Sequence, residues 1–525
     1  VTSRYSDLYA AISAKYSNHQ QPDLVKAPSG FPFPQIYRSQ SELLSGIDPS
    51  ASFCLTSHTG WGKTPVFLHL VRDKPALVIE PRKFLQSQVA SYYGDYVLFG
   101  RAEYDCPFAP AWNARKTAAM APCLSKTDCS TTSYHETCAN ANGTCLNEPC
   151  DVFADANNKY HRYPCPDCEY LKAMAGARAH IRDNGCVICN FGNFWQFVKP
   201  AKVVVIDEAD LFFKEISAPV KLRYTTPKKN TDENLEKMLG AEVEGIRTAM
   251  KDAPASQRYK YQNALYSAQF LQKYHDLCFM YQRKDAYFIE VDPRNTNILA
   301  EKIFKDKQVI VVSATPGRFN YPNYAGSIHQ RSGIYFLSIG SLTTTALKAN
   351  PYLLSNAAKA ISEISDYMDM VYDADRVIVH CGNLGTHAAA MNTLLGPENC
   401  ILHESGRLNQ TIDRYLASDK RYLLVAAAEY GMDASWCKLQ FILKFPYAKK
   451  DERINTLMRV MGPDFREYYE GEARTRVIQM AGRNVRGFDD FGVTICLDAK
   501  CREDYMRHKG MYPEWYRERV VERWY

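Results

Sequence analysis

Two short segments, with a block of cysteines between them, constrain this 525-residue chain more than any other feature. The first, Ser57-His-Thr-Gly-Trp-Gly-Lys-Thr64, reads as a nucleotide-phosphate loop. Such a loop needs small residues so that backbone N–H groups can face phosphate, a lysine for the β/γ charge and a hydroxyl for magnesium. Thr59, Gly60, Trp61, Gly62, Lys63 and Thr64 fill those places, and Ser57 stands where a first glycine is usual. The second, Val203-Val-Val-Ile-Asp-Glu-Ala-Asp210, is four apolar residues and then an acidic strand end. There Asp207 is placed to hold Mg²⁺, together with Thr64, and Glu208 to orient an attacking water. Between the two segments lie cysteines 106, 123, 129, 138, 145, 150, 165, 168, 186 and 189.

Strand-like runs alternate with helical ones. Ala76–Ile79, Val203–Ile206 and residues 309–312 suit buried parallel strands, and Arg38 to Gln40 opens a helix. A second unit of this kind starts near residue 330, with runs at 376–380, 422–425, 441–443 and 493–497. The fold class expected is α/β, with ligands at the carboxyl ends of the strands. In the second unit Gln479-Met-Ala-Gly-Arg-Asn-Val-Arg486 puts Arg483 and Arg486 on one helical face, able to reach the γ-phosphate of a nucleotide held by the first. Residues 214–300 read as helical, because Leu235, Leu239, Val243, Ile246 and Met250 recur at helical spacing and Tyr259 to Tyr281 continues in the same way.

A net charge of +6 permits nucleic-acid binding without demanding it. No run of 18 apolar residues is present, so no membrane span or membrane partner is expected. The first residues lack the apolar core of a secretory signal, so a reducing cytoplasm or the nucleoid is the expected location. There, clustered cysteines favour metal over disulfides.

In this order the motifs resemble those of a superfamily 2 helicase, in which two RecA-like domains hold ATP between them. Residues 57–64 match motif I, and 207–210 match motif II as a literal DEAD box. Ser313-Ala-Thr315 matches motif III, Glu80-Pro-Arg-Lys83 resembles motif Ia, Glu429-Tyr-Gly-Met-Asp433 resembles motif V and 479–486 matches motif VI. Gln40 resembles the adenine-reading glutamine. The resemblance implies that Lys63, Asp207, Glu208, Arg483 and Arg486 are catalytic, and that Gln40, Asp433 and Gln479 also line the nucleotide site.

The insert narrows the resemblance to iron–sulfur helicases of the XPD/DinG type. Phe99-Gly-Arg-Ala-Glu-Tyr-Asp-Cys106 resembles the start of their cluster domain, which also lies between motifs I and II. Four thiolates close either a [4Fe–4S] cube or a zinc site. The resemblance implies Cys106, Cys145, Cys150 and Cys168, with Cys165 an alternative to Cys168 and Cys123 to the second ligand. Cys186 and Cys189 read as buried thiols on a strand. Arg101 and Tyr104 either touch DNA or brace the cluster loop. By resemblance, residues 1–99, 193–213 and 301–328 form the first motor domain. Residues 100–192 form the iron–sulfur domain, 214–300 a helical arch and 329–525 the second motor domain.

The function implied is ATP- and Mg²⁺-dependent translocation on single-stranded DNA, 5′→3′, by a monomer. It opens forked or tailed duplexes or RNA–DNA hybrids, in DNA repair among other settings. Two rival readings remain at this point: a zinc-stabilised RNA helicase or translocase, and a nucleic-acid-binding adaptor of an effector complex that uses a slow ATPase as a switch.

Overall fold

The computed structural model describes residues 5–17, 21–58, 60–81, 83–93, 95–100, 103–104, 152–154, 160–162, 169–225, 235–253, 255–315, 319–326, 331–337, 339, 351–404, 407–426, 434–485 and 490–524. Two seven-stranded parallel sheets organise them. In the first, the order is Asn323–Gly326, Phe53–Ser57, Gln308–Ser313, Val203–Ile206, Ala76–Ile79, Cys186–Cys189 and Tyr96–Leu98. Four of its strands, Phe53–Ser57, Ala76–Ile79, Cys186–Cys189 and Val203–Ile206, are mostly apolar and buried along their length, as a sheet covered on both faces requires. In the second, the order is Cys400–Leu402, Tyr422–Val425, Val377–His380, Leu439–Ile442, Phe491–Cys496, Arg331–Phe336 and Val520–Trp524.

Phe53–Ser57 lies between Asn323–Gly326 and Gln308–Ser313, and the latter also pairs with Val203–Ile206. The sheet thus brings the ends of three sequence-distant segments side by side: residues 57–64, 207–210 and 313–315. All three leave the carboxyl edge, where an open α/β sheet binds its ligands.

Three expectations from sequence are corrected. The helix Glu169–Arg182 and the strand Cys186–Cys189 belong to the first motor: Tyr170, Met174, Ala177, Ile181, Val187 and Cys189 are buried in its core. The insert therefore ends earlier than residue 192. Cys186 and Cys189 are buried thiols on that strand, as read from sequence.

Second, residues 214–300 are not all helical. Two helices, Leu235–Asp252 and Ala255–Lys273, pack through Val243, Ile246, Leu265 and Ala268. A three-stranded antiparallel sheet of Val220–Lys221, Ala286–Val291 and Cys278–Arg283 accompanies them. The aromatic spacing up to Tyr281 mixes two periods: the helix stops at Lys273, and Phe279 and Tyr281 are alternate buried residues of a strand. Their rings form one cluster with Ile454, Leu457, Met461 and Phe465 of the second motor. Beside that cluster, Arg453 bonds the buried Glu290 at 2.7 Å.

Third, the helix Ser6–Ser17 packs on the second sheet, not the first. Leu8 and Ile12, four apart on one helical face, are buried in that core, and Tyr9 stacks on Tyr367 at 3.7 Å. Among the described residues no helix is long and apolar enough to cross a membrane.

Candidate active site

The phosphate loop is shaped by two glycines. Gly60 and Gly62 take φ of 91° and 82°, a region that side chains rarely adopt. A Cβ on Gly62 would also lie 2.6 Å from the Gln40 amide. Between them Trp61 is fully buried and bonds Ser39 through its indole N–H at 3.0 Å, so it pins the loop to the underlying core. Lys63 begins the next helix, and its Nζ donates to the carbonyls of Ser57 and His58, each at 3.0 Å. The ammonium is thus held across the mouth of the loop. Thr64 follows it on the first helical turn.

Gln40 braces this loop from behind. Its amide donates to Trp61 O at 2.6 Å, and its Oε1 accepts from Tyr37 N at 2.9 Å. In this arrangement both ends of the amide are engaged by the protein rather than facing a base.

Asp207 ends the strand Val203–Ile206 and is buried. Burial, and then the neighbouring Glu208 charge, raise its pKa; Lys63 and a hydrogen bond with Glu80 oppose the rise. Two buried carboxyl groups in contact, with a lysine near by, form a donor set suited to a divalent cation, and Thr64 supplies a hydroxyl from the adjoining segment. Glu208 has φ of 49°, a strained backbone for a residue with a Cβ, placed where the strand turns into the helix Ala209–Ile216. Glu80, the first residue of the segment that resembles motif Ia, is buried against Asp207.

Asp210 is the hub that links the two motors. Its Oδ2 accepts from Ser313 Oγ at 3.3 Å and, in a short bond, from Thr315 Oγ1. The same oxygen accepts from Gln479 Nε2 of the second motor at 3.4 Å. Gln479 in turn accepts from Arg483 Nη2 at 3.0 Å through its Oε1. Arg483 is buried at the end of the helix Phe465–Ala481, beside His380. Burial and the Arg483 charge hold the His380 pKa down at about 4, while a hydrogen bond with Gln440 opposes them, so the imidazole is neutral there at physiological pH.

The second motor also has a sequence relationship. Residues 384–519 match the helicase C-terminal domain family. No curated protein matches the chain by sequence. Among solved structures, Xpd4 of S. tokodaii superposes with a TM-score of 0.51 at 14% identity, over 93% of this chain and 99% of that one. An XPD helicase superposes with a TM-score of 0.52 at 11% identity, over 95% of this chain and 100% of that one. The chain shares the fold of these XPD helicases. The stretch similar to the helicase C-terminal domain lies in the second motor, and three motif segments converge on the cleft beside it.

The structure brings together, at the cleft between the two motors, Gln40, Gly60, Trp61, Gly62, Lys63, Thr64, Asp207, Glu208, Gln479 and Arg483. Thr59, Asp433 and Arg486 lie outside the described residues. So do Arg101 and cysteines 106, 123, 129, 138, 145, 150, 165 and 168. Tyr104 is described: its hydroxyl accepts from Phe99 N at 3.1 Å and its ring packs edge-on against Tyr170. Asp210 was legible as the last letter of the literal DEAD box, but its bonds to two distant segments were not.

Proposed function

We propose that this protein is an ATP-driven motor that moves along single-stranded DNA and opens the duplex ahead of it. The observation that carries the proposal is the Asp210 hub. One carboxylate of motif II bonds residues of motif III and motif VI, which ties the nucleotide site to the domain interface. Lys63 takes the β/γ-phosphates, Glu208 orients the attacking water, and Arg483 and Arg486 approach the γ-phosphate from the second motor. Magnesium, held by Asp207 and Thr64, would neutralise charge that develops on the phosphates. In this reading Asp433 and Gln479 complete the nucleotide site. Cys106, Cys145, Cys150 and Cys168 would hold a [4Fe–4S] cluster, which would order the insert as a wedge. Direction of travel is 5′→3′, by analogy with the XPD/DinG type.

The test is steady-state ATP hydrolysis with and without single-stranded DNA, and with RNA of equal length. The expected result is strong stimulation by DNA, and a loss of at least about a hundredfold in Lys63→Ala, the scale of one lost electrostatic contact to the transition state. Near-normal turnover in that variant refutes the nucleotide site. Stimulation by RNA alone moves the chain to the RNA-helicase reading, and no stimulation at all moves it to the adaptor reading.

A further inference from the structure

The last secondary elements of the chain carry a residue that touches three parts of the nucleotide cleft. The short helix Glu514–Arg519 follows Pro513 and runs directly into the strand Val520–Trp524, which pairs with Arg331–Phe336 at the edge of the second sheet. The helix is thereby fixed to the second motor. Trp515 and Tyr516 on it are buried in one cluster with Ile478, Ala481 and Tyr512. From that anchorage Trp515 reaches the first motor: its indole N–H donates to the carbonyl of Ala314 at 2.8 Å.

Ala314 lies between Ser313 and Thr315, the two residues that hold Asp210. On another side, the Trp515 ring meets the His58 ring edge-on, with centroids 6.4 Å apart. His58 belongs to the phosphate loop, and its carbonyl accepts from the Lys63 ammonium. On a third side, a Cβ built on Gly482 would lie 3.3 Å from the outer carbon of the Trp515 six-membered ring. Gly482 closes the helix Phe465–Ala481, immediately before Arg483. The ring is completed by the Arg519 guanidinium, 4.9 Å from its centroid, a cation–π contact within the same helix.

We propose that Trp515 is a positioning residue for ATP hydrolysis, which sets the phosphate loop, the Ser313–Thr315 turn and the Arg483 helix end in one arrangement when the cleft is closed. The inference rests on the nucleotide-site reading above. Physically, a rigid, two-χ aromatic anchored in one domain and bonded to the backbone of the other restricts closure to a narrow set of geometries. Catalysis by groups supplied from two domains depends on that geometry at the scale of about 1 Å. Because Trp515 acts by fixing the closed arrangement and not by gripping the nucleotide, its effect belongs in kcat rather than in KM.

Two substitutions separate this from a purely structural role. Trp515→Phe keeps an aromatic ring in the cluster but removes the donor to Ala314 and the ring atoms that reach Gly482. Gly482→Ala pushes on the indole from the opposite side; φ at Gly482 is −85°, so alanine is accepted by the backbone there. The assay is ATP hydrolysis at saturating single-stranded nucleic acid, poly(dT) or poly(U), whichever stimulates the wild type. Thermal unfolding is run in parallel, with Lys63→Ala as reference.

Trp515→Phe should lower kcat about fivefold to tenfold, the factor a lost buried hydrogen bond gives when it is felt only in the transition state. KM for ATP should stay within about twofold. Gly482→Ala should lower kcat as well, and the double variant should fall short of the product of the two, because the phenylalanine leaves room for the added methyl group. Wild-type kcat in Trp515→Phe overturns the proposal, and so does a loss confined to KM or to the unfolding temperature. If Trp515→Phe does not fold, Gly482→Ala decides: reduced kcat with an unchanged unfolding temperature supports the proposal, and unchanged kcat overturns it. An active Lys63→Ala would instead remove the underlying nucleotide-site reading.

Discussion

Removing Asp210 should uncouple the two motors without disturbing ATP binding, and the size of the effect follows from its contacts. The carboxylate accepts three hydrogen bonds on one oxygen. Two come from Ser313 and Thr315, within the first motor. In Asp210→Ala those hydroxyls are not left bare, since they lie 2.9 Å apart and either can then donate to the other. Their loss falls mainly on stability, about 1–2 kcal/mol after this compensation. The third bond, from Gln479, crosses the cleft. At 3.4 Å it is long, and a charge-assisted bond of that length contributes about 1.4 kcal/mol, just below the usual range for bonds to charged groups. If it is made fully only in the closed state, that corresponds to about tenfold in rate. Stimulated kcat should therefore fall about tenfold in Asp210→Ala, with KM for ATP within about twofold. Gln479→Ala removes the same bond and also releases Arg483, so it should cost at least as much. The decisive measurement is the double variant: it should be no slower than the slower single variant by more than about twofold. A double variant equal to the product of the singles would show that the two residues act independently, and the hub argument would fail.

Two further outcomes are expected. Burial and Glu208 raise the Asp207 pKa above its unfolded value, so the folded chain binds that proton more tightly than the unfolded one. The ionised carboxylate thus costs stability, a cost absent below the unfolded pKa of about 4 and fully present above the folded one. Asp207→Asn should raise the unfolding temperature at pH 8, by an amount that shrinks toward pH 4, while turnover falls at least about a hundredfold; no gain at pH 8 refutes the electrostatic account. Protein purified without air should contain about four irons with matching sulfide, and Cys106→Ser or Cys168→Ser should bleach it and stop unwinding of a tailed duplex while part of the stimulated ATPase persists; zinc without iron would replace the cluster with a structural zinc site.

The sequence by itself determined the parts whose chemistry is local. A phosphate loop must carry glycines where φ is positive and a lysine at the helix start, so Gly60, Gly62 and Lys63 are readable one after another. Strands buried on both faces must be continuous apolar runs, so Ala76–Ile79 and Val203–Ile206 stand out without any partner being known. Tertiary structure alone decided which distant pieces meet. Nothing in Ser6–Ser17 says that its apolar face will cover the second sheet rather than the first. Phe279 and Tyr281 have the spacing of a strand face but look like the tail of a helix until their antiparallel partner Ala286–Val291 is in place. Asp210 and Trp515 show the limit most plainly. Each serves segments more than 100 or 200 residues away, through single hydrogen bonds whose existence depends on how two sheets and their helices settle against each other. Backbone conformation and burial pattern are written into neighbouring residues, whereas a contact across a domain cleft is a property of the packed whole.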